Sequence, residues 1–155
     1  MSLGADIIGA WRQGWGNALR RQIASGAGEE RALGWVMVAT VMLVAAQMPA
    51  SYKAAAQNRD QPEQAPIAVL MIAVFSLFLA PLSFYALAAL SHLVARLLGA
   101  TGPFLNARLG LFWALLCVAP LALISAAFGN SLGPELSNPL QYVVLLVFLV
   151  IWADT

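Results

Sequence analysis

Apolar residues run almost without interruption from residue 66 to residue 95, and the stretch holds no acidic or basic residue before His92. Similar runs cover residues 32–50, 109–128 and 139–153. A lipid interior accepts backbone only where its peptide groups pair internally, and continuous rather than alternating apolarity excludes a barrel. The pattern therefore predicts an all-α, polytopic transmembrane helical bundle of about four spans, residues 32–155, preceded by a cytoplasmic amphipathic segment, residues 1–31.

The first span, at 1.5 Å per residue, reaches about 28 Å, close to the hydrocarbon thickness of a bilayer, and Pro49 is expected to close it. Residues 51–65 hold Lys53, Arg59, Asp60, Glu63 and Pro62 and read as a solvated loop. Pro66 suits the first turn of the next helix. That helix would extend about 45 Å, which a bilayer accommodates only by a bend at Pro81 or by projection of the His92–Arg96 end into water. Residues 99–103 form a dense turn signal, Asn106 to Arg108 a helix entry, and residues 129–138 a second external loop. The last run covers only about 21 Å, so either Trp152 anchors it at the interface or the natural chain continues.

Ahead of these spans, Ile7, Trp11, Trp15 and Leu19 recur every fourth residue, with Asp6, Gln13, Asn17, Arg20 and Arg21 opposite. Tryptophan favours the head-group region and arginine an anionic leaflet, which makes Trp11, Trp15, Arg20 and Arg21 interfacial anchors of a helix lying on the membrane or on a partner. With the N-terminus cytoplasmic, Arg12, Arg20, Arg21, Arg31, Arg96 and Arg108 fall inside and only Lys53 and Arg59 outside, the asymmetry expected of an inner-membrane protein. About thirty polar or amphipathic residues before the first run do not resemble a cleavable signal peptide.

Composition agrees: 61% of residues are hydrophobic and 10% charged, and a net charge of +1 offers no basic surface for nucleic acid. The single Cys117 has no disulfide partner and reads as a small packing residue.

The chemistry-bearing patterns are few. Gly129 to Gly133 matches Gly-x-Ser-x-Gly, but a nucleophile elbow joins a strand to a helix, and His92 lies about a bilayer thickness from Ser131. Tyr85, His92 and Arg96 share a helical face, a position from which His92 can meet a partner, an internal acceptor, or a haem or chlorophyll; the boundary location favours the first. One histidine and one buried cysteine do not make a metal site. The central spans hold no acid or base of the kind ion-coupled carriers use. Ala119, Ala122, Ser125, Ala126 and Gly129 line one side of the third span and would permit close helix approach.

Residues 97–104, Leu-Leu-Gly-Ala-Thr-Gly-Pro-Phe, followed by Arg108, the pair Phe112-Trp113 and Ala119-Pro120 within the next helix, resemble bacterial members of the Yip (Ypt-interacting protein) membrane-domain family. The likeness spans about residues 66 to 128. Eukaryotic relatives in that family are associated with small GTPases and vesicle traffic, so the resemblance implies a non-enzymatic membrane protein.

The expected function is thus contact rather than catalysis, through His92, Arg96, Phe104 and Arg108 at the cytoplasmic junction of the second and third spans. The alternatives are an accessory subunit of a respiratory, photosynthetic or transport complex and, more weakly, a small carrier. No cofactor, metal or nucleic acid is expected. The expected partners are the lipid bilayer and another membrane protein or a second copy of the chain.

Overall fold

The computed structural model of the protein describes residues 3–57, 62–99, 101–132 and 134–155. It is all-α. Helices α1 (Leu3–Gln13) and α2 (Trp15–Ala24) precede three long helices, α3 (Glu29–Ala56), α4 (Ala65–Leu97) and α5 (Phe104–Leu132), and a final α6 (Pro134–Asp154); a short 3-10 turn, Pro62–Gln64, leads into α4. Three of these helices, α3, α4 and α5, are long and apolar enough to cross a membrane, and α6 adds the shorter apolar stretch Pro139–Asp154.

The centre of the bundle is α5. Leu109, Leu111 to Leu116 and Cys117 to Ala119 are all buried, so this helix is enclosed on every side from Leu109 to Ala119. Helix α3 offers it one stripe, Ala32, Trp35, Val36, Ala39 and Thr40, at the three- and four-residue spacing of a single helical face. Trp35 meets Trp113 with ring centroids 5.0 Å apart. On the opposite side Ile151 of α6 is fully buried and Thr155 lies beside Gly110. Helix α4 is peripheral, and most of its large apolar side chains, Phe75, Phe78 and Leu82 among them, face outward. Lipid is the natural solvent of such a surface.

Several boundaries differ from the sequence expectation. Pro49 does not close the first span: α3 continues through it to Ala56, because one lost hydrogen bond at Ala45 is tolerable where Tyr52, Lys53 and three alanines follow as residues a helix readily accepts. The solvated loop thereby shrinks, and Asn58, Arg59, Asp60 and Gln61 lie outside the described residues. The external loop at residues 129–138 is also overturned. Helix α5 runs to Leu132 and α6 begins at Pro134, whose missing N–H costs nothing in a first turn, while Gly133 lies outside the described residues. Helix α6 thus has 21 residues and reaches about 31 Å. Pro81 leaves α4 unbroken, and Gly99, at φ 93°, turns the chain after it.

The single amphipathic helix expected before the first span is divided. Gly14 stands at φ 96° and ψ 135°, a backbone conformation that favours glycine, and it separates α1 from α2.

Candidate functional site: the junction of α3, α4 and α5

The N-terminus of α3, the end of α4 and the start of α5 meet at one end of the bundle. Phe104, Arg108 and Phe112 project from one face of α5 at four-residue intervals, so the arginine is bracketed by two aromatic rings. The guanidinium carbon of Arg108 lies 4.4 Å from the centroid of Phe104 and 5.9 Å from that of Tyr85. Tyr85 in turn meets Phe112 edge to face at 4.8 Å, and His92 meets Phe104 in the same way at 4.9 Å. Arg108 Nη1 donates to Glu29 Oε1, closing the group against α3.

The position of Glu29 has a local cause. As the first residue of α3 it places a carboxylate at the positive end of the helix dipole, and the same carboxylate then neutralises Arg108. The Glu29 side chain is half exposed, so the ion pair stabilises by no more than about 1 kcal/mol, and cation–π contact with Phe104 adds a similar amount.

Of the four contact residues read from sequence, the structure unites His92, Phe104 and Arg108. Arg96 stands one turn beyond His92 and is exposed, outside this set. Arg108 is not the free base that its sequence position suggests, because it is mostly buried and spends its charge on Glu29. Sequence reasoning missed Glu29. Its only signal in the sequence is an acid directly after Gly28, three residues ahead of the apolar run that begins at Ala32.

The four N-terminal anchor residues have two kinds of environment. The Trp11 indole donates to the Cys117 carbonyl at 3.3 Å, and Trp11 meets Trp15 edge to face at 5.4 Å. This carbonyl adjoins the turn of α5 in which Pro120 leaves Leu116 without its usual helical donor. Ala10, Ala18 and Leu19 are buried on the same side, so α1 and α2 dock on α5 and α6. Arg20 and Arg21 are exposed, with Arg20 donating to Asn17 Oδ1 at 3.1 Å. The Gly16 N–H donates to Asp154 Oδ2 at 2.8 Å, a contact that sequence reading did not anticipate.

The Gly-x-Ser-x-Gly pattern lies at the far end of α5. Ser131 is in helix, about 40 Å along the axis from Phe104, the residue on which His92 rests. Comparison with known proteins returns no matching family model, no matching curated protein and no matching solved structure.

Proposed function

We propose that this chain is an integral protein of a bacterial inner membrane that acts by contact with another membrane-associated protein, with the N-terminus and the α4–α5 turn in the cytoplasm. The observation that carries the reading is the α4–α5 tip. Leu97 and Leu98 are 80% and 83% exposed there, beside exposed Phe104 and Arg96. An apolar tip rimmed by a base is the composition of a contact surface, and Arg108 and His92 support it from behind by holding Phe104 in place. The arginine asymmetry favours the cytoplasmic side. The resemblance of residues 66 to 128 to bacterial Yip membrane domains points to the same non-enzymatic class.

Purification in mild detergent from the native membrane, followed by identification of stoichiometric companions, tests the proposal. A companion lost on Phe104→Ala with Arg96→Gln, with the bundle intact, supports the tip as its site. These substitutions leave the Arg108–Glu29 pair in place but remove the ring contacts of Phe104 with Arg108 and His92, so thermal unfolding of the variant is measured alongside. A companion retained at full stoichiometry would overturn the assignment, and a multisubunit redox or transport complex binding through the exposed face of α4 would favour the accessory-subunit reading instead.

A further inference from the structure

The far half of the bundle is not filled. A cavity of about 780 Å³ lies between α3, α5 and α6, lined by Gln47, Ser51, Lys53 and Gln57 from α3, Ser125 from α5 and Gln141 from α6. Its α5 wall has only small side chains, Ala122, Ala126 and Gly129, so residues that sequence alone assigns to close helix contact here leave space. A second cavity of about 340 Å³, between α3 and α4, shares Leu43, Gln47 and Ser51 with the first. The outer half of α3 is thus flanked on both sides. Gln47 and Gln141 are exposed to the larger groove, which makes it a surface feature rather than an enclosed void.

Depth identifies what fits. On α3 the larger groove runs from Leu43 to Gln57 and the smaller cavity reaches inward to Thr40, so together they follow about 15 Å of helix on the apolar side of residue 50. One leaflet comprises about 15 Å of hydrocarbon and roughly 5 to 7 Å of head group. Near the first span's apolar limit at residue 50, Gln47 lies about one turn inside, while Ser51, Lys53 and Gln57 lie beyond it. Each glutamine amide carries two donors and an acceptor, and burying them against hydrocarbon alone is costly. Lys53 is the one ionisable side chain among the described residues lining the groove.

We propose that this groove holds one diacyl phospholipid of the leaflet opposite the α4–α5 tip. Its ester carbonyls accept from Gln47 and Gln141, its phosphate lies at the level of Lys53, about 5 Å beyond residue 50, and its two acyl chains descend on either side of α3, one in each cavity.

Native mass spectrometry of the full chain in dodecyl maltoside, titrated with dioleoyl phosphatidylglycerol, tests this. Wild type should retain one lipid after others are stripped. Gln47→Leu with Gln141→Leu should weaken that retention about tenfold, the change that two neutral hydrogen bonds support, and Ala46→Trp should occlude the groove. A wild type that retains no lipid, or retention unchanged in both variants, would overturn the proposal. Equal retention of dioleoylglycerol would overturn the phosphate assignment. A diazirine-bearing phosphatidylglycerol added to wild type gives a reading that does not depend on variant folding. Adducts on the peptides bearing Gln47 and Gln141 support the site, and adducts elsewhere only would exclude it.

Discussion

The backbone N–H of Gly16 donates to the Asp154 carboxylate at 2.8 Å, so the start of α2 is capped by a side chain from the end of α6, 138 residues later. Gly14, the residue preceding α2, supplies no side-chain cap of its own. A carboxylate at the end of α6 is unfavourable to that helix, and the same charge at the beginning of α2 is favourable, so the contact resolves a local electrostatic conflict. It also ties the N-terminal segment to the bundle.

Asp154→Ala should release α2, with a loss of about 0.5 to 2 kcal/mol, the usual worth of an N-cap, while Asp154→Asn should lose less because its amide oxygen still accepts. Limited proteolysis in detergent reads the effect as faster cleavage at the exposed Arg20 and Arg21. Cleavage at the wild-type rate in the alanine variant would show that the cap does not hold the segment.

A methyl group at Gly16 would collide with the Asp154 backbone carbonyl, and backbone cannot move aside as a flexible side chain can. Gly16→Ala should therefore undock α1 and α2 while the spans remain inserted. Gly9→Ala is the matched control: nothing lies within 4 Å of its new carbon, and replacing a mid-helix glycine should stabilise α1 by about 0.5 to 1 kcal/mol. Equal protease sensitivity of the two variants would contradict this packing.

Trp11→Phe keeps an aromatic ring beside Trp15 but removes the donor to the Cys117 carbonyl. The expected loss is about 0.5 to 1.5 kcal/mol of docking stability. Trp11→Glu with Trp15→Glu should go further and expose Arg20 and Arg21 to protease fully, without preventing insertion. Protection unchanged in the double variant would argue that α1 and α2 are held by other contacts.

Arg108→Gln and Glu29→Gln, separately and together, form a double-mutant cycle whose coupling should be about 0.2 to 1 kcal/mol in thermal unfolding, as for a half-exposed pair. Arg96→Gln should leave stability unchanged, since Arg96 stands outside the cluster. A destabilisation by Arg96→Gln equal to that of Arg108→Gln would show that the two bases have the same role.

The apolar runs made the all-α class and the approximate positions of α3, α4 and α5 legible, because a hydrocarbon environment leaves a continuous apolar run few conformational options. The same physics defeated the loop readings. Pro49 and the Gly129–Asn130–Ser131 sequence are breakers in water, where the backbone can hydrogen-bond to solvent; next to lipid, staying helical is the cheaper way to pair peptide groups. The junction was half legible. Phe104 and Arg108 announce a shared face by spacing, but Glu29 is 79 residues from Arg108 and joins it only through the antiparallel return of the chain. The Gly16–Asp154 cap had no sequence signal beyond a glycine near the start of a helix and an acid at the end of another.

In the proposed arrangement the bundle spans the membrane with its α4–α5 tip in the cytoplasm and the far end of α3 on the opposite side. Sided labelling of single cysteines tests it most directly. In a Cys117→Ser background, Gln57→Cys should react with an impermeant maleimide added to intact cells, and Asn106→Cys should react only after the membrane is opened. Labelling of the position-106 cysteine in intact cells, with position 57 protected, would contradict this orientation.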